Sequence, residues 1–183
     1  DLWGTAFLMS KYSIAQEEAA YLSLLMYFGL AIGSFILPWL CEKLKVLDSA
    51  IIFSTIALLV LFALVLYGPM YSKNALGLLL IAIGIFCGAE MMCFTGALHH
   101  SNRHNSGEII GVVNTFNMLG GAILQQIVGV VLDWRWHGAF QVSGLRYYSP
   151  ADFIFALSSL TILLAFCMLF FFALKQKRRI KNA

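Results

Sequence analysis

The sequence predicts an all-α membrane protein, a polytopic bundle of transmembrane helices, and three observations carry that prediction. Apolar residues make up 61% of the 183-residue chain and charged residues 11%, against about 45–50% and about 25% in soluble domains. The apolar residues fall in blocks of about 20, the length a helix needs to cross hydrocarbon. Short polar or charged segments separate the blocks. The net charge of +3 comes mainly from residues 175–183. No basic stretch interleaves with aromatics, so nucleic acid is not an expected partner. The cysteines Cys41, Cys87, Cys93 and Cys167 are scattered, which indicates neither a disulfide framework nor a metal site, and no cofactor is expected. The chain opens on Asp1 with no basic region ahead of a cleavage site, so no signal peptide is visible and it reads as a piece of a longer chain.

Residues 1–9 are too short to span and read as the end of a helix whose beginning lies elsewhere, with Trp3 at the interface. Residues 11–18 form a polar link in which Glu17 and Glu18 suit the first turn of the next helix. The first full span, 19–40, carries Gly29 and Gly33 at the four-residue spacing that lets a neighbouring backbone come close. Pro38 is tolerable near its end. A charged loop, 41–49, leads to a second span, 50–67, whose only polar residues before its final tyrosine are Ser54 and Thr55. With no glycine, that span reads as a lipid-facing support. A turn around Gly68 and Pro69, flanked by Tyr67 and Tyr71, leads to the span 75–98. This one holds Glu90, the single acid placed at mid-membrane depth, while Gly77, Gly84 and Gly88 lie about 120–160° away on its surface. A polar loop, 99–107, follows. The last span, 153–174, is rich in Phe and Leu, again without glycine, and 175–183 is a basic tail.

Between these, the helix 108–132 is the stretch around which the chain is organised. At 100° per residue, Gly107, Gly111, Asn117, Gly121, Gln125 and Gly129 all lie within about 60° of Asn114. One face is therefore small and polar and the other is Ile, Val, Leu and Phe. In hydrocarbon an amide needs a partner or water, so the stripe should meet another helix or a wet cavity. The loop 133–152, with Trp134, Trp136, Tyr147 and Tyr148, suits the membrane interface. Placing 41–49, 99–107 and the tail on one side gives that side eight lysines and arginines and leaves four, Lys11, Lys73, Arg135 and Arg146, on the other. The richer side, with the C-terminus, is expected to be cytoplasmic, in a bacterial inner membrane.

At this point three stretches carry a resemblance. Gly107, Gly111, Asn114, Asn117, Gly120, Gly121, Gly129 and Asp133 are spaced as in the eleventh helix of the major facilitator superfamily, Trp3-Gly4-Thr5-Ala6-Phe7-Leu8 resembles the end of its seventh, and Pro38-Trp39-Leu40-Cys41-Glu42-Lys43-Leu44-Lys45 resembles a worn copy of its charged loop. Glu42 and Lys43 stand where Asp-Arg is usual there, and Lys45 where Gly is usual. The resemblance covers the whole chain as the C-terminal half of such a transporter. It implies two six-helix bundles rocking about a central site, with the N-terminal half of the same chain as a partner.

Glu90 is the sharpest candidate for chemistry, since intramembrane acids are costly unless paired or wetted. It is expected to couple proton movement or to contact substrate, against the plainer reading of a structural partner for a basic residue elsewhere. Asn114, Asn117 and Gln125 are candidates for substrate or cavity lining, or equally for interhelical bonds. Tyr27 is a cavity candidate, although such aromatics more often pack. Gly29, Gly33, Gly84, Gly88, Gly111, Gly121 and Gly129 are expected at helix-packing positions. His99, His100 and His104 with Arg103 form a hydrated loop rather than a metal site, having no acid or thiol at ligand spacing. The expected function is secondary transport, first of all proton-coupled uptake of a small polar metabolite across the lipid bilayer. Efflux by the same fold and a non-transporting subunit of a membrane complex are the alternatives. No catalytic set is present, so an enzyme is not expected.

Overall fold

The structure is a computed structural model that describes residues 2–99, 105–140, 144 and 146–181, with side chains from Trp3 to Ala173. Its described residues form seven helices and no β-strand: α1 (Leu2–Tyr12), α2 (Gln16–Leu44), α3 (Leu47–Tyr67), α4 (Lys73–Cys87), α5 (Glu90–His99), α6 (Ser106–Trp134) and α7 (Pro150–Lys181). Taking α4 and α5 as one span, five stretches among them are long and apolar enough to cross a membrane.

Several bounds differ from the sequence reading. α2 continues through Pro38 to Leu44, so most of the expected loop 41–49 is helix and the turn is confined to Lys45 and Val46. Proline lacks an N–H and removes one rung of the ladder, but two turns of apolar packing outlast that loss. The helix stops because Lys45 takes the left-handed conformation, φ 53°, and its N–H closes onto Cys41 O and Glu42 O. α7 likewise runs beyond 174 into the tail. Nothing in that basic run breaks a helix, since lysine and arginine are good helix formers.

The tightest packing joins α2 to α4. A Cβ on Gly29 would collide with Ile81 O, one on Gly33 with Ile85 O, and one on Gly84 with Met26 O. A Cβ on Gly88 would strike the backbone of Gly33 and Ser34. Glycine is required at these four places because backbone meets backbone. α3 stands outside the pair, with Phe53, Ile56, Val60 and Leu64 exposed along one face. α7 similarly exposes Ile162, Phe166, Leu169 and Phe170. In a bilayer such faces meet acyl chains, and apolar side chains are at home there.

The main core gathers at one end of the bundle, where α1 contributes Phe7 and Leu8. Around them close Ala19 and Leu22 of α2, Val65 and Leu66 of α3, Leu76 and Leu80 of α4, Val128 and Leu132 of α6, and Phe153 and Leu157 of α7. Lys11 ties this end together: its ammonium donates to Val65 O, Leu66 O and Gly68 O at 2.8, 3.1 and 3.0 Å. These carbonyls lie at the C-terminal end of α3, so the cation meets the negative pole of that helix.

Gly33→Ala should lower the stability of the protein in detergent by about 1–3 kcal/mol, because the backbones must part to admit one methyl. Gly111→Ala, where a Cβ would meet nothing within 4 Å, should stay within about 0.5 kcal/mol of the parent. Thermal unfolding of both variants checks this, and equal losses would show that the close approach is not what holds α2 to α4.

Candidate functional site

The expected continuous span 75–98 is broken at Gly88 and Ala89. Across the break the backbone bonds shorten to three-residue steps, Ala89 N–H to Phe86 O at 3.1 Å, Met91 to Gly88 at 3.1 Å and Met92 to Ala89 at 2.9 Å. The chain is overwound there, a tighter turn of the kind that often marks a functional position within a helix. The cause lies on α2: Gly88 is pressed against the backbone of Gly33 and Ser34. The break makes Glu90 the first residue of α5. A carboxylate at that end of a helix faces the positive pole and the unpaired first-turn N–H groups.

Glu90 leaves its helix on the side away from α2 and meets α6. Asn117 Nδ2 donates to Glu90 Oε1. The acid and one of the amide candidates are thus brought together across the α5–α6 seam. The glycines of the same span face the other way, Gly77 towards Leu22 and Leu25, Gly84 towards Met26 and Leu30. Packing and chemistry therefore occupy separate faces of one helix.

The other candidates are dispersed. Asn114 is exposed one turn before Asn117 on α6, with no bond among the described residues. Gln125 is two turns further on, where it borders a largely apolar cavity of about 310 Å³ with Trp3, Phe7, Met26, Phe62 and Gly121. Trp3, read from sequence as an interfacial anchor, packs against α6, its Nε1 donating to Gln125 O at 3.0 Å. Tyr27, 42% exposed on α2, belongs to neither group. A Cβ on Gly129 would stand 3.1 Å from the Trp3 ring, whereas Gly111 and Gly121 face open space. Only Val128 and Leu132 are buried on α6, so most of its small and polar stripe has no cover within the described residues. His100, Arg103 and His104 lie outside the described residues, as do the side chains of Lys175, Lys177, Arg178, Arg179 and Lys181. Among the described residues no three His, Cys, Asp or Glu side chains gather as metal ligands.

Polar groups that the sequence placed in the loop 133–152 and its borders, without pairing them, organise the far end. Arg146 Nη1 and Tyr148 Oη both donate to Asp133 Oδ1, at 2.6 and 2.5 Å. Arg135 Nε donates to Asp152 Oδ1 at 3.0 Å, and Ser149 Oγ donates to Asp152 Oδ2 at 2.7 Å. The Arg146 guanidinium also lies 4.7 Å over the Trp136 ring. The segment between α6 and α7 is thereby folded back on both helix ends. Two acids, Asp133 and Asp152, flanking two bases, Arg135 and Arg146, were the available signal, but their pairing depends on how the loop turns.

Matched against known protein families, curated proteins and solved structures, the chain finds no counterpart. Its class rests on its own helices: by length and composition it is a multi-pass membrane protein, among whose described residues one broken span carries an acid bonded to its neighbour.

Burial, and then the bond to Asp133, push the Tyr148 hydroxyl above the ordinary tyrosine range. Its folded value lies above the unfolded one, so its contribution is complete below the ordinary range and is lost as pH rises through the raised value. Thermal unfolding of the wild type between about pH 9 and 11 should therefore show an alkaline loss that Tyr148→Phe lacks. Identical pH profiles would remove Tyr148 from the linkage.

Proposed function

We propose that this chain is the C-terminal half of a secondary transporter of the major facilitator type, moving a small polar solute by alternating access with proton coupling. One observation carries the reading: Glu90, at a break in a spanning helix, is bonded across the seam to Asn117 of the small-residue helix. A lipid anchor has no use for an acid and an amide at this depth, and such residues mark substrate or proton paths by default. Broken helices that present polar groups near mid-membrane are also a device of secondary transporters.

Two further features support it. The uncovered amide and glycine stripe of α6 suits a helix that faces a wet cavity or the other half of a two-bundle protein. Lys45, which occupies the position of a glycine in the resembled loop, has the positive φ that glycine adopts most readily. In this reading Glu90 is the charged group on the path, α2 and α4 form the rigid seam against which α5 and α6 present it, and α3 and α7 face lipid.

The test uses full-length protein in proteoliposomes, with internal pH recorded while amino acids, sugars and organic acids are offered in turn. Solute-dependent proton movement that falls at least about tenfold in Glu90→Gln is the expected outcome. Proton movement untouched by the substitution would leave Glu90 a structural acid, and no flux with any solute from folded protein would count against the transporter reading itself.

A further inference from the structure

We infer that the Glu90–Asn117 pair recognises a positively charged amine on a small bound solute, an inference that rests on the transport reading for its setting but on the geometry of the pair for its chemistry. The pair has a definite polarity. As a carboxylate Glu90 only accepts hydrogen bonds, so the Asn117 amide must turn its Nδ2 towards it. That choice fixes the other end of the amide. Asn117 presents its Oδ1, and Glu90 keeps Oε2, so two acceptor oxygens remain without a bond among the described residues. A group with several N–H donors satisfies both, whereas a carboxylate or phosphate would meet lone pairs and like charge.

Charge selects the same ligand. No lysine or arginine reaches Glu90 among the described residues, where the ion pairs are Lys73–Glu18, Arg135–Asp152 and Arg146–Asp133. Those acids at the far end of the bundle have their counter-ions, and Glu90 has none among the described residues. A carboxylate is stabilised by a cation within a few ångströms more than by neutral donors. Glu90 is also reachable, since it is exposed beside a half-buried Asn117. Asn114, one turn away on the same side of α6 and likewise exposed, lies within reach of a polar group further along the solute. An ammonium therefore fits the pair, with a short polar body lying along α6.

The experiment measures binding rather than flux, in nanodiscs of zwitterionic lipid so that the bilayer itself does not collect amines. The probes are five-carbon compounds of matched length: 1,5-diaminopentane, 1,5-pentanediol and glutarate. The diamine should bind at least about tenfold more tightly than the diol, with glutarate weakest. Glu90→Gln should abolish the preference, and Asn117→Leu should weaken diamine binding severalfold while leaving some preference. If Glu90→Gln fails to fold, Glu90→Asp serves, with the preference for amine retained. Equal or tighter binding of the diol or glutarate, a diamine preference that survives Glu90→Gln, or no binding of any probe to folded protein would overturn the inference. The last result would fit a basic side chain from elsewhere occupying the pair. Amine binding without flux would leave the inference standing and sink the transport reading. Glu90-dependent flux of the diol or glutarate in place of the diamine would do the reverse.

Discussion

The bundle depends on backbone meeting backbone between α2 and the α4–α5 span. Lipid tails are as apolar as leucine, so no hydrophobic force draws these helices together. Dispersion over a close-packed seam must do so. Gly29, Gly33, Gly84 and Gly88 permit the approach by leaving no Cβ in the way. The remaining helices dock around this pair, α1 on α2, α3 on α4, α6 on α5, and α7 on α3 and α6. The break before Glu90 also belongs to the seam, because Gly88 both reaches the α2 backbone and ends α4. A single contact thus fixes a packing distance and the position of a charged residue.

Among the described residues, Glu90 is accommodated without an ion pair of its own. Glu90 has a helix N-terminus behind it and an amide beside it, two partial charges in place of a full one. Each is worth about a kcal/mol or less in typical settings. Together they orient the carboxylate without neutralising it. A fully paired buried acid would be harder to move, since separating such a pair costs about 3–5 kcal/mol.

Much of this could be read from the sequence, and what could not has a physical reason. The spans were legible because hydropathy is a local property, and Gly29 and Gly33 were legible because a four-residue spacing puts both on one helix face. The separation of Gly77, Gly84 and Gly88 from Glu90 followed from helical geometry as well. The break at Gly88 was hidden, since nothing in Cys87-Gly88-Ala89-Glu90 departs from a helical pattern and the cause lies on another helix. The union of Glu90 with Asn117 was hidden too, because periodicity places residues on faces but does not say which faces meet. Lys11 read as part of a polar link, and its three carbonyl partners are more than fifty residues away in sequence.

The lysines and arginines at the α1 end of the bundle share one property. Lys11 is held by the C-terminal carbonyls of α3, Lys73 by Glu18, Arg135 by Asp152 and Arg146 by Asp133. That rim therefore has little unspent positive charge with which to grip anionic headgroups. What it offers lipid is aromatic, with Trp134, Phe140 and Tyr147 exposed. Rings settle in the headgroup layer whatever the lipid charge. The depth of this rim is thus set by the thickness of the bilayer and not by its surface potential.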